Sequence, residues 1–288
     1  MSGTEFELTW TTAGHAAVHS VVAGETWHPV AGPAGEARTL YVGGLRLKER
    51  LVQAGGPLVV WDVGLGAGGN ALAALHALAE VPGEVVLVSL DRTRAGLAFA
   101  RRHAAELGYF AGFEDVVDAL LSDGRASVVR GGFRADWRLV EAEFPGWLES
   151  AAADGVPAPH AVFFDPNSPA RNPEMWTLPL FTALRRRCDP ARPCALATYS
   201  RSTLVRTALL RAGFFVGAGP AVAGKEETTL AATAPELAGA LLGTRWLERA
   251  RRSHAAEPLT EAVYRQAPLA AARLAALEAH PQFGAPQA

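Results

Sequence analysis

The strongest constraint on the fold is the way short, almost wholly apolar runs alternate with helix-like stretches from residue 58 onward. LVVWDV (58–63) precedes NALAALHALAEV (70–81), and VVLVSLD (85–91) precedes a helical pattern that begins near Thr93. HAVFFD (160–165) and CALATYS (194–200) follow, each with a helix-like stretch behind it. A strand with one wet face alternates polar and apolar residues; runs that are apolar on both faces belong to a parallel sheet covered by helices on each side. The end of the region breaks the pattern. GFFVGA (213–218) and TTLAAT (228–233) are separated by only nine residues. That connection is too short for a crossover helix, so these two strands are expected to run antiparallel. The expected architecture is α/β: a doubly wound, mostly parallel sheet that ends in an antiparallel hairpin.

Three regions follow from this reading. Residues 1–57 form an N-terminal extension of loop and small strands, residues 58–234 the core, and residues 235–288 an Ala-, Leu- and Arg-rich helical appendage. A formal net charge of −2 gives no whole-protein attraction to nucleic acid, although a local basic face is compatible with it. Cys188 and Cys194 are expected to be reduced thiols, and with no HExxH or CxxC pattern no metal site is expected. MSGTEFELTW has neither the basic nor the apolar segment of a signal peptide, and no apolar run reaches membrane-spanning length. A cytoplasmic protein is expected.

VVWDVGLGAGGN (59–70) is the first motif that carries chemistry. A strand delivers Asp62, then Gly64, Gly66, Gly68 and Gly69 turn the chain into a helix that opens with Asn70. Glycine is needed where backbone approaches a ligand without a Cβ in the way, and the helix start presents free N–H groups. The same letters satisfy GxGxxG and suit a dinucleotide as well as S-adenosylmethionine (SAM). Two features favour SAM. Asp62 lies two residues before the first glycine, at the methionine end of the cofactor in SAM enzymes, and the terminal hairpin is the layout of Rossmann-like class I SAM methyltransferases. Asp91 ends the second strand, where it can accept both ribose hydroxyls. For the adenine, Glu141 and Glu143 are the acids on offer after the third strand, with solvated loop charges as the plain alternative.

FFDPNSPARNPEMW (163–176) follows the fourth strand. Ligands of open α/β sheets sit outside the carboxyl ends of the strands, so Asp165 is expected to face the transferring methyl group, or else simply to cap the next turn. Asp-Pro-Asn-Ser-Pro resembles the (Asp/Asn)-Pro-Pro-aromatic loop of amino-group methyltransferases, whose acidic or amide side chain accepts a hydrogen bond from the target nitrogen. Methyl transfer needs an uncharged, in-line nucleophile, and an amine is mostly protonated near neutrality, so such an acceptor is useful. Met175 and Trp176 either wall the acceptor pocket or pack under the following helix.

The whole stretch resembles the Asp-(Gly/Ala)-Phe-Ala-Pro-x-x-Asn-Pro-(Asp/Glu)-Met-Trp signature of MnmC/MnmD-type tRNA methyltransferases, matching at Asp165, Pro169, Asn172, Pro173, Met175 and Trp176. LATYSRSTLVRTALLRAGF (196–214) and GKEETTL (224–230) are similar to two further segments of that family. TWHPVAGPAGEARTLYV resembles a third, with His28, Gly35, Glu36 and Arg38 in common. The likeness spans roughly residues 10–233 and includes no FAD-dependent oxidoreductase half. It departs at Pro166-Asn167, where the motif has Gly or Ala then Phe, at Arg171 in place of Lys, and at Glu226 in place of Arg. The resemblance implies methyl transfer from SAM to the 5-aminomethyl group of 2-thiouridine at the tRNA wobble position, with Asp165 at the reaction centre. Asn167, Arg171, Asn172, Trp176, Lys225, Glu227 and Arg38 are then the expected substrate contacts. Arg185, Arg186 and Arg187, and Arg245, Arg249, Arg251 and Arg252 in the tail, are candidates for phosphate contacts or for helix-end charges. A methyltransferase of a small amine and a non-catalytic SAM-binding protein are the alternative readings.

Overall fold

The computed structural model describes residues 5–27, 32–222 and 224–284. Its centre is a nine-stranded sheet. Five parallel strands form the middle: β4 (Leu58–Val63), β5 (Gly83–Asp91), β7 (Phe133–Glu141), β8 (Ala161–Phe164) and β9 (Ala195–Thr198). From β4 the chain moves outward through β5 to β7 on one side, then returns to lay β8 and β9 on the other. The strand order therefore reverses beside β4, and the loops leaving β4 and β8 border a crevice there.

Alternation explains why these strands read as continuous apolar runs. Val59, Trp61 and Val63 of β4 pack with Val162 and Phe164 of β8 in one core layer, whereas Leu58, Val60, Ala161 and Phe163 point into the other. Each large side chain buried in this way contributes about 1.5–3 kcal/mol. The expected hairpin is present: β10 (Phe215–Gly219) pairs antiparallel with β11 (Thr228–Ala232), which runs antiparallel to β9.

Three parts differ from the sequence reading. β6 (Arg125–Arg130) forms an antiparallel edge beside β7 that was not expected. Only alternate residues of β6 are buried, and Asp136 on β7 binds both Arg125 and Arg138. A half-wet, charge-laced edge strand has no unbroken apolar run to betray it. The tail is also more than a helical appendage. Residues 240–241 add β12 (Ala240–Leu241) to the sheet beside β10, and among the described residues of the tail α-helix is confined to Thr244–Arg252, Ala271–Glu278 and a last turn at Pro281–Gly284. Buried Gln282 then locks the edge: its Oε1 accepts from Val216 N at 2.7 Å, and its Nε2 donates to Val216 O at 2.7 Å and Leu242 O at 2.8 Å.

The N-terminal extension begins with a separate antiparallel sheet of β1 (Phe6–Trp10), β2 (Ala16–Ser20) and β3 (Glu25–Thr26). Beyond the expected loop and strands it is helical at Pro33–Ala37, Arg38–Gly43 and Leu47–Gln53, which pack on the core through Leu40, Leu47 and Leu51. Phe6 packs against Trp27 and against Phe99 of the helix Ala95–Arg102, with centroids 5.5 and 5.9 Å away. This contact sets the small sheet over the crevice. Among the described residues, no helix is long and apolar enough to cross a membrane.

Two stability outcomes follow. Gln282→Ala strands the buried Val216 N–H and the Leu242 carbonyl, while Val216 O keeps its bond from Leu242 N, and should lower the unfolding free energy in urea by on the order of 2 kcal/mol. His160 is buried, and its Nδ1 accepts from Val59 N at 2.8 Å. Burial, with Arg192 and Arg50 nearby, lowers its pKa to about 4. The unfolded chain takes up this proton near pH 6.5 and the folded chain only near pH 4, so the neutral imidazole's contribution is complete above pH 6.5 and lost on acidification through that window. His160→Asn should flatten the urea-midpoint profile between pH 6.5 and 4 relative to the unsubstituted protein.

Candidate active site

A cavity of about 820 Å³ opens at the crevice, within the size range of small-molecule and cofactor sites. Its walls come from the loops after β4, β5, β7 and β8, from Tyr41 and Tyr199, and from the N-terminal sheet.

At one end lies the glycine loop. Gly64, Gly66 and Gly68 have φ of 90°, 52° and 79°, in the left-handed region that favours glycine. Their missing side chains serve different ends. A Cβ on Gly64 would lie 2.7 Å from Asp165 O, so the loop after β8 passes where a side chain would be. At Gly66 the neighbour is the Trp27 ring, 3.5 Å away. Gly64, Gly66 and Asn70 line the cavity, whereas the missing Cβ of Gly68 makes room for Leu97, 2.6 Å from its ideal position. Gly68 is thus a helix-packing residue and not a cavity contact.

Asp91, at the end of β5, lines the cavity, and its Oδ2 accepts from Gly66 N at 2.9 Å. Burial raises its pKa, opposed by the backbone N–H groups of Gly66, Thr93 and Arg92 that favour the anion. Asp62 departs from expectation. It is fully buried behind the glycine loop, does not line the cavity, and accepts from Ser89 Oγ at 2.8 Å, which in turn accepts from Trp137 Nε1. Inward projection from a central strand makes it a support for the loop. Of the two acids after β7, Glu143 lines the cavity, 4.0 Å from Arg92 Nε. Glu141 does not: its carboxylate accepts from Arg94 Nε at 2.7 Å and Arg94 N at 2.9 Å, bonds that hold its pKa below the usual carboxylate range.

At the other end, Asp165 continues β8 by donating its N–H to Val63 O at 2.9 Å, and its Oδ2 accepts from Asn70 Nδ2 at 2.6 Å. The helix after the glycine loop therefore orients the carboxylate across the crevice. Tyr41 and Tyr199 flank it, and both phenols have pKa values raised by burial first and by the Asp165 charge second. Tyr199 donates to Pro166 O at 3.0 Å. Lys225 lies 4.4 Å from the Tyr199 ring centroid, with Nζ 3.5 Å from Tyr199 O. Burial lowers its pKa, while Glu36 and Asp165 oppose that shift. Asn167, Arg171 and Asn172 also line this end, with Arg171 exposed at the rim.

Three expected substrate contacts lie elsewhere. Trp176 is fully buried and outside the cavity lining; its ring packs edge-on against Phe164 and Tyr199, and its Nε1 donates to Asn167 O at 2.8 Å. The short turn Pro173–Trp176 directs the indole inward, so it braces the loop from beneath. Glu227 is bound to Arg206 at 2.9 Å, and that buried guanidinium also holds Thr229 Oγ1 and Thr228 O. The pair clamps β11 and does not line the cavity. Arg38 is exposed, outside the lining, and near enough to Glu80 to help lower that carboxyl's pKa. His28 lies outside the described residues. Conversely, Glu25, Trp27, Tyr41 and Tyr199 line the cavity without having been singled out. Tyr199 alone carried a signal, as a polar-tipped aromatic directly after a buried strand.

Comparison with known proteins agrees with this geometry. Residues 151–234 match the model of a family described as S-adenosyl-L-methionine-dependent methyltransferase. The tRNA 5-methylaminomethyl-2-thiouridine biosynthesis bifunctional protein MnmC of Methylibium petroleiphilum is 31% identical over 224 residues, 74% of this chain and 32% of that protein. MnmC of Ectopseudomonas mendocina is 33% identical over 193 residues, 63% of this chain and 28% of its own length. The chain thus spans about a third of the length of the curated relatives it matches. Among solved structures, MnmC2 from Aquifex aeolicus superposes with a TM-score of 0.68 at 23% identity, covering 89% of this chain and 79% of that one, which shows a shared fold. The family match falls on the loop that carries Asp165, and the likeness to the MnmC relatives extends across most of the chain, so this protein is similar to S-adenosyl-L-methionine-dependent methyltransferases and to about a third of the MnmC proteins.

Proposed function

We propose that this protein transfers the methyl group of SAM to a primary amine, the 5-aminomethyl group of 2-thiouridine at the tRNA wobble position. The observation that carries the reading is one continuous cavity with the glycine loop and Asp91 at one end and the Asn70-oriented Asp165 at the other. Its amine specificity also draws on the named activity of the MnmC relatives.

The residues present fit SAM. Gly64 and Gly66 expose backbone where a side chain would intrude, and the Asp91 carboxylate stands at the strand end where ribose hydroxyls are recognised. Glu143, on the cavity wall, is the acid available to the adenine side. When bound, SAM supplies an electrophilic methyl on a sulfonium. The remaining tasks belong to the chain. Asp165 accepts an N–H of the acceptor amine and so directs its lone pair, and Asn70 keeps that carboxylate from rotating. Glu36 and Glu174 line the same end and draw a protonated amine inward. The amine gives up one proton before attack, and the methylated product gives up the second on leaving. Tyr41, Tyr199 and Met175 wall the space against bulk water.

Of the basic candidates, Arg187 is bound to Asp154, Arg251 to Glu248 and Glu278, and Arg185 packs over the Phe214 ring. These side chains are committed to the fold. Arg171 and Lys225, at the acceptor end, are the better candidates for the nucleotide's phosphate. The carboxylate-rich lining, together with Asn167 where an aromatic is expected, also suits a small-molecule amine as acceptor.

Incubation of the protein with labelled SAM and tRNA bearing 5-aminomethyl-2-thiouridine separates the readings: label should enter that nucleoside, and transfer to small amines alone would reject the tRNA acceptor. Asp165→Asn should lower kcat by on the order of 100-fold while calorimetric SAM affinity stays unchanged. Asp91→Ala should do the reverse, weakening SAM binding about tenfold or more through loss of hydrogen bonds to a charged acceptor.

A further inference from the structure

Three successive residues of the loop after β8 are held from three different parts of the chain. Tyr199 Oη donates to Pro166 O at 3.0 Å, and Trp176 Nε1 donates to Asn167 O at 2.8 Å. The third hold comes from the N-terminal sheet, 143 residues upstream. Ser168 Oγ donates to Glu25 Oε1 at 2.6 Å, and Ser168 N donates to Glu25 Oε2 at 3.3 Å. Both oxygens of one carboxylate are thus spent on a single residue of the loop.

We propose that Glu25 is a positioning residue for methyl transfer, which ties the N-terminal sheet to Ser168 and thereby fixes the placement of Asp165. The proposal rests on the reading of Asp165 as the carboxylate that faces the acceptor. Ser168 is three residues from Asp165, and Pro166 between them has a fixed φ, so displacement at Ser168 passes along the backbone with little local slack. A hydrogen bond to an ionised acceptor is shorter and roughly twice as strong as a neutral one, which suits a tie between two separate sheets. Glu25 and Ser168 both line the cavity, so the tie also closes its wall between the small sheet and the loop. Proper placement matters because a reacting group displaced by about 1 Å can cost on the order of 100-fold in rate.

The test uses the full chain with saturating SAM and two readouts, amide hydrogen exchange and steady-state transfer. In Glu25→Ala, exchange across residues 165–172 should accelerate about tenfold or more, while residues 62–70 and the SAM affinity stay unchanged. kcat should fall about tenfold, a partial loss of placement. Glu25→Gln should restore most of both, because its side-chain oxygen still accepts from Ser168 Oγ. Glu25→Ala with Ser168→Ala should be no worse than Glu25→Ala alone. Unchanged exchange in residues 165–172, failure of the Gln variant to rescue, or additive losses in the double variant would each overturn the proposal. If the unsubstituted protein methylates no amine, the reading of Asp165 fails, and the exchange results alone then uphold or overturn the tie.

Discussion

Gly64 has no Cβ, and the Asp165 carbonyl oxygen lies 2.7 Å from where one would be. The rest of the site depends on that close approach. β4 and β8 are adjacent parallel strands, and their loops would ordinarily diverge at the point where the strand order reverses. Because residue 64 is glycine, the loop after β8 instead leans across the glycine turn, and Asn70, in the first turn of the helix Gly69–Leu78, reaches the Asp165 carboxylate at 2.6 Å. Cofactor turn and acceptor carboxylate are therefore built as one unit. Any side chain at residue 64 would push them apart before it affected either alone.

Around this contact the polar groups divide into those spent on the fold and those left facing the cavity. Asp62, Glu141, Glu227 and Arg206 are all held by partners outside the cavity lining, and Trp176 spends its indole N–H on the loop backbone. Asp91, Asp165 and Lys225 remain on the wall, beside a Glu25 that is held by Ser168. Buried charges need partners to avoid a desolvation cost of several kcal/mol: Asp62 and Arg206 lie deep with theirs, the Glu141–Arg94 pair lies at the surface, and Asp165 is half-buried on the cavity wall.

Much of this was legible in the sequence. The unbroken apolar runs located β4, β5, β8 and β9, the nine-residue connection located the antiparallel pair, and strand ends located Asp91 and Asp165. The same reasoning could not tell which way a polar residue near a strand end points. Asp62 sits one residue before the end of β4 and projects inward, while Asp165 follows the end of β8 and does not. Motif likeness marked Trp176 and Glu227 as important without distinguishing a ligand contact from a brace. Glu25, Trp27 and Tyr41 were invisible for another reason: they join the site only through tertiary packing against segments distant in sequence, and nothing in their local pattern records it.

The most direct measurement is nucleoside mass spectrometry of bulk tRNA from cells that lack this protein, compared with the same cells carrying it. The account predicts loss of 5-methylaminomethyl-2-thiouridine with accumulation of the 5-aminomethyl precursor, reversed when the protein is restored. An unchanged nucleoside profile would contradict it.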